Sequence, residues 1–145
     1  IRHERWKMAL TRHFVLLIDG NSRLKNDIEF FTETTLRLAT NTFLEPDLVF
    51  VSKAFGLEGL TGPTTLLALE IADTSIAYDL GRKSEIYASF GVRELWVLDV
   101  NQRKFSVFRD PLPTKYPLRV DYDAQETIHA SWIPGLSLRL DTIEI

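Results

Sequence analysis

Cysteine is absent from the chain, which excludes disulfides, thiolate zinc centres and cysteine nucleophiles together. Long apolar runs are missing too. None approaches the roughly 20 residues that cross a bilayer, and no signal-peptide pattern is visible. A cytoplasmic protein with no membrane partner is therefore expected. Basic residues are not in excess, since 17 Lys and Arg stand against 20 Asp and Glu for a net charge of -3. That balance disfavours a surface that holds phosphates by charge alone, but it does not exclude nucleic acid, because a metal-dependent hydrolase needs carboxylates too. There is no G-x-x-x-x-G-K-S/T phosphate loop, G-x-S-x-G elbow or H-E-x-x-H pair. His3, His13 and His129 show no ligand spacing, so surface or cap positions are expected for them. Repeats, low-complexity tracts and flexible linkers are also lacking. What remains is ordinary: 145 residues, 45% hydrophobic and 26% charged, read as a single domain over residues 1–145.

Hydrophobic spacing predicts an opening helix from His3 to Ile18, with Trp6, Leu10, Phe14 and Leu17 on one face, ending at Asp19-Gly20-Asn21. "DIEFFT", "TTLRLAT" and "FLEPDLVFV" read as three strands close in sequence, an antiparallel meander. A loop, "AFGLEGLTGP", leads to "TTLLALEIA", whose unbroken apolar run implies a strand buried on both faces. Residues from about Ser75 to Phe90 form a helix closed by Gly91, and "RELWVLDV" and "KFSVFRD" are strands joined at Asn101-Gln102. Strand, helix, strand in that order makes a parallel crossover. After Pro111, "LPTKYPLRVDY" and "LSLRLDTIEI" read as peripheral strands. The expected class is α/β, a mixed sheet flanked by helices.

Two residues interrupt this apolar plan. Asp47 lies in "LEPDLVFV" and Glu70 in "LLALEIA", and a carboxylate in a buried strand is costly without compensation. Two such acids near the sheet centre suggest a shared compensator, and a divalent cation such as Mg²⁺ fits. At about 100° per residue, Ile76, Leu80, Ile86, Tyr87 and Phe90 cluster on one face of the following helix. Lys83 falls inside that cluster and Asp79 at its edge, while Arg82, Ser84, Glu85, Ala88 and Ser89 point away. A snorkelling lysine or an Asp79–Lys83 ion pair would each account for Lys83 alone.

The ordered set Pro46-Asp47, Glu70, Asp79, Lys83, Tyr87, Gly91 and Trp96 resembles the Uma2 family of endonucleases, which adopt the restriction-endonuclease-like fold with a PD-(D/E)xK-type site. The resemblance is strong over about residues 44–109 and returns in "IPGLSLRL"; the opening helix is similar to the family's early helix, and the segment that usually precedes it is missing here. In the general pattern the lysine follows the second acid by two residues, a position held here by Ala72. In the resembled family the next helix supplies it, and Lys83 occupies that place.

The resemblance implies phosphodiester hydrolysis in DNA, with RNA as a second substrate class. Asp47 and Glu70, with the backbone carbonyl of Ile71, would hold Mg²⁺ or Mn²⁺. Lys83 would orient or deprotonate the attacking water or stabilise the phosphate, and Asp79 would either steady Lys83 or form a purely structural ion pair. A homodimer is expected from the class, with "KFSVFRD" as a candidate apolar edge for pairing. Glu94 and Trp96 fit the family pattern but read equally as strand packing. Lys53, Arg82 and Arg93 lie near site elements in sequence, with solvated surface the simpler assignment, and Trp132 reads as a core plug. The rival to the nuclease is an inactive module of this fold that binds nucleic acid or protein. A glycosidase-type carboxylate pair without a nearby lysine is a third reading. Convergence of Lys83 with the acids discriminates among them.

Overall fold

Pro46 decides how the first half of the chain is organised. A proline cannot donate to a sheet ladder, so "FLEPDLVFV" is cut into two strands at Glu45-Pro46-Asp47 rather than running through. The computed structural model describes residues 2–145, with Ile1 outside the described residues. The helix α1 (Arg2–Asp19) forms as its apolar spacing predicts and buries Trp6, Ala9, Leu10 and Phe14. A second, short helix α2 (Ser22–Asp27) follows that the sequence pattern did not reveal. Asn21 caps it by accepting the N–H groups of Arg23 and Leu24.

The strands are β1 (Ile28–Thr32), β2 (Leu36–Ala39), β3 (Thr42–Leu44), β4 (Leu48–Ser52) and β5 (Thr65–Ala72). They do not form the expected meander. β2 and β3 pair only with each other, while β1 skips them to pair antiparallel with β4. Beyond β5 come a helical segment over residues 76–89, then β6 (Glu94–Asp99), β7 (Lys104–Arg109) and β8 (Leu118–Asp123). The main sheet has the order β1-β4-β5-β6-β7-β8, with the β5–β6 pair parallel and its neighbours antiparallel. β9 (Thr127–His129) and β10 (Ser137–Arg139) form a separate pair, so "LSLRLDTIEI" is a three-residue strand followed by a 3₁₀ turn. "KFSVFRD" is not an edge, because β8 covers the side of β7 that β6 leaves free.

Side chains alternate across β5, and this sets the site. Leu67, Leu69 and Ile71 face α1 and pack with Trp6, Leu10, Phe14, Phe50 and Trp96. Ala68 and Ala72 face the other way, into a layer with Tyr87, Ala88, Leu95 and Val97. Glu70 lies between those two alanines on that second face.

The helical segment is not one regular helix. It comprises α3 (Ile76–Tyr78), a π-helical turn (Asp79–Lys83) and α4 (Ser84–Ser89), and Gly91 closes it at φ 80°. The wider π turn rotates everything after it relative to a constant 100° step. Ser84 and Ala88, expected outside, are buried, whereas Leu80 and Ile86 are only half-buried.

Candidate active site

The sequence-predicted residues meet where β4 begins and the parallel strands β5 and β6 end. Asp47 is not inside a strand but just before β4, with only 8% of its surface exposed. Leu48 pairs with Leu69, so the chain enters β4 beside the last residues of β5. There Asp47 Oδ2 accepts the Ile71 N–H at 2.7 Å, supplying the ladder partner that β4 no longer provides. The N–H and C=O of a strand residue point to the same side, so the Ile71 carbonyl also faces the Asp47 side.

Glu70 is 3% exposed and its two oxygens have different partners. Lys83 Nζ donates to Oε2 at 2.8 Å, and the Tyr87 hydroxyl donates to Oε1 at 2.6 Å. Lys83 and Tyr87 are one helical turn apart on the element packed over this face, and the small side chain of Ala72 leaves that face to them. Asp79, 2% exposed, lies 3.4 Å from Lys83 through Oδ1, and its Oδ2 accepts the Ser75 hydroxyl at 3.1 Å. Thus Lys83 bridges two buried acids. A lysine on Glu70 removes the premise of the glycosidase-type reading.

The electrostatics follow from this burial. Desolvation pushes the Glu70 carboxyl up to about 7, against the opposing pull of Lys83 and the Tyr87 hydrogen bond, and the nearby Asp47 charge adds to the rise. Burial alone would lower Lys83, but Glu70 and Asp79 outweigh it and hold its ammonium above the ordinary value. Tyr87 is raised well above a free phenol, chiefly by burial and then by Glu70. At neutral pH, then, Lys83 is a cation and Tyr87 a neutral donor.

His3 departs from expectation. It is neither free surface nor a cap: Nε2 lies 2.8 Å from Asp47 Oδ1. Arg2 fixes this end of α1 by donating to the Val100 carbonyl and the Asn101 side chain. A signal existed in the sequence, because the stripe through Leu10 and Phe14 continues back through Lys7 to His3 at helical spacing. Tyr87 likewise sat on the predicted inner stripe but had been given no task.

Other candidates lie apart. Glu94 and Trp96 are fully buried at the other end of β6, where Glu94 accepts from the Trp96 indole, Arg109 and the Ser131 N–H. That network is structural. Trp132 is 46% exposed and not a core plug; the Arg93 guanidinium stacks 4.2 Å from its ring. Lys53 and Arg82 are exposed, and Lys53 helps line a cavity of about 430 Å³ at the far ends of β4 and β5. That cavity holds neither Asp47, Glu70 nor Lys83. His13 bonds the Ser137 carbonyl and His129 is exposed.

Among the described residues no cluster of three or more His, Cys, Asp or Glu side chains forms a ready metal cage. The donor set nevertheless suits a cation. Asp47, Glu70 and Asp79 are all more than nine-tenths buried, and Lys83 is the ammonium that serves both Glu70 and Asp79. Burial still wins over that lysine at Glu70, so added positive charge would be favourable there.

A mixed sheet that delivers acids from adjacent strand ends and a lysine from the crossover helix to one point belongs to the nuclease-like fold class. Residues 2–141 match the Uma2 family, described as "Putative restriction endonuclease", and the chain belongs to that family. It is also similar to a crystal structure described as "a putative nuclease belonging to DUF820" from Anabaena variabilis, with a TM-score of 0.71 at 13% identity, covering 97% of this chain and 79% of that one. At that identity the likeness speaks for the fold. Among curated proteins none matches.

Proposed function

We propose that the chain is a metal-dependent endonuclease hydrolysing phosphodiester bonds in DNA. The observation that carries this reading is the 2.8 Å contact between Lys83 Nζ and Glu70 Oε2, in a site with Asp47 at its side. Convergence of the lysine on the acid favours a working site, whereas a Lys83 turned to solvent would favour an interaction module. Asp47, Glu70 and the Ile71 carbonyl would hold one divalent cation, Mg²⁺ or Mn²⁺, which when bound neutralises phosphate charge and acidifies water.

The chain's own groups divide the remaining work. Lys83 is held protonated by its two acids, so it orients the attacking water and stabilises charge on the phosphate as a donor rather than a base. Asp79 positions Lys83 from one turn earlier in the helical segment. Tyr87 occupies Glu70 Oε1, which leaves Oε2 as the oxygen turned to the reaction. The Ile71 N–H fixes Asp47 Oδ2, which leaves Oδ1. Two copies of the chain would cut two strands; their pairing would use the exposed edge β8, with Leu118 and Val120, rather than β7.

Calorimetric titration of Mn²⁺ and Mg²⁺ into wild type, Asp47→Ala and Glu70→Ala tests the reading without needing the substrate. Binding by wild type that is lost in both variants is the expected result. Absence of binding in a folded wild type would return the chain to the interaction module.

A further inference from the structure

The metal-dependent reading leaves one ionisable group at the site without a task. His3 opens α1 with its ring between two carboxylates: Nε2 is 2.8 Å from Asp47 Oδ1, and Nδ1 is 3.4 Å from Glu4 Oε1. Asp47 Oδ2 is already committed to the Ile71 N–H, so His3 meets the one Asp47 oxygen left for other work.

A separation of 2.8 Å is that of a hydrogen bond, and it is equally the spacing of two ligands on one cation. Metal bonds of about 2.0–2.1 Å place neighbouring donors of an octahedron about 2.9 Å apart. Nε2 and Oδ1 stand one such edge apart. A ligating imidazole commonly directs its other ring nitrogen at a carboxylate, which fixes its tautomer and orientation, and Glu4 stands in that place.

The surroundings hold this arrangement in a closed ring. Lys7, 7% exposed, lies 3.1 Å from Glu4 and also pairs with Glu33. The Glu33 N–H donates to the Asp47 carbonyl at 3.2 Å, which returns the ring to the acid that faces His3. Glu33 adopts φ 52°, a conformation costly outside glycine, and it does so where the ring closes. Arg2 anchors the same end of α1 to the ends of β5 and β6, since Asn101 in turn donates to the Asp73 carbonyl.

We infer that His3 becomes a further protein ligand of the cation, through Nε2, beside Asp47 and Glu70, three side chains that close into a cage only as the cation binds. This inference rests on the metal-dependent reading of the site. A nitrogen donor in place of water or oxygen shifts preference away from Mg²⁺, a hard ion that takes oxygen, toward Mn²⁺ and the later divalent metals. His3 thereby acts as a determinant of which metal the site accepts.

Pulsed EPR of the Mn²⁺-loaded full chain reads the bond directly. The expected spectrum of wild type carries ¹⁴N modulation from a bound imidazole, lost in His3→Gln and kept in His13→Gln and His129→Gln. A competition titration supplies a second readout: His3→Gln should lower the preference for Mn²⁺ over Mg²⁺ by about tenfold, the scale of losing an ordered group around a metal. A residue that merely braced Asp47 would weaken both metals equally and leave the ratio alone. Mn²⁺ binding that needs Asp47 and Glu70 but shows no nitrogen coupling overturns the assignment of His3 and leaves the proposed function standing. A folded wild type that binds no Mn²⁺ overturns both.

Discussion

Lys83 Nζ stands 2.8 Å from Glu70 Oε2 across a sequence separation of 13 residues, and a π-helical turn ends at that lysine. The turn places Asp79, Lys83 and Tyr87 against the same face of β5, so that one ammonium serves two buried carboxylates while a phenol holds the remaining Glu70 oxygen. Lys83→Met is isosteric enough to keep the stem packed and removes only the charge. Cleavage of a DNA substrate should fall by about 100- to 1,000-fold, the scale of losing an electrostatic stabiliser. Metal affinity should not weaken, because a competing cation has been removed from Glu70. A variant that cuts as fast as wild type would remove Lys83 from the reaction.

Tyr87→Phe deletes one hydroxyl and leaves Glu70 Oε1 buried without its donor. Stability should drop by about 1–3 kcal/mol, the cost of an unsatisfied buried polar group. Urea unfolding measures it, and a loss below about 0.5 kcal/mol, the low end for an ordinary hydrogen bond, would mean the contact contributes little.

Without metal, Glu70 makes stability depend on pH in an unusual direction. Its folded-state value is pushed up to about 7 from an ordinary 4.5, chiefly by burial. Between those values the folded chain holds a proton that the unfolded chain has lost, so stability falls as pH rises from about 4.5 to 7 and levels off above. The full drop is on the order of 3 kcal/mol. Denaturation in chelator at pH 5 and pH 8, with Glu70→Gln as reference, isolates the term. Wild type should lose stability relative to Glu70→Gln on going to pH 8; a gain would reverse the assigned sign.

Two glycines near this helix should respond oppositely. A Cβ on Gly62 would collide with the Phe90 carbonyl at the end of the segment that carries Lys83 and Tyr87. Gly62→Ala should therefore destabilise by about 1–3 kcal/mol. Gly81, within the π turn, has open space for a Cβ and no positive φ, so Gly81→Ala should stabilise by about 0.5–1 kcal/mol. Thermal unfolding of the pair checks both, and a destabilised Gly81→Ala would show that the π turn needs glycine's freedom.

Particular residues explain how far the sequence could be read. The strand carrying Glu70 and the parallel crossover were legible because their apolar patterns are continuous and capped by Gly91. The order of the first strands was not, because pairing of β1 with β4 across the β2–β3 excursion leaves no local trace. Ser84 and Ala88 were assigned to the wrong face because a fixed 100° step does not hold through a π turn. His3 escaped notice because its partner, Asp47, lies on a different element, and only the extension of the α1 stripe through Lys7 pointed inward. Trp132 was misplaced because an aromatic beside Ile133-Pro134 reads as core, whereas here an arginine face covers it.

The central claim is that one cation sits between Asp47 and Glu70. Crystals grown with Mn²⁺, with anomalous diffraction recorded at the manganese edge, test it most directly. The account predicts one anomalous peak bonded to Asp47 Oδ1 and Glu70, with Lys83 Nζ still within hydrogen-bond reach of the site. Absence of a peak at millimolar Mn²⁺, with Lys83 and His3 unchanged on their carboxylates, would contradict it.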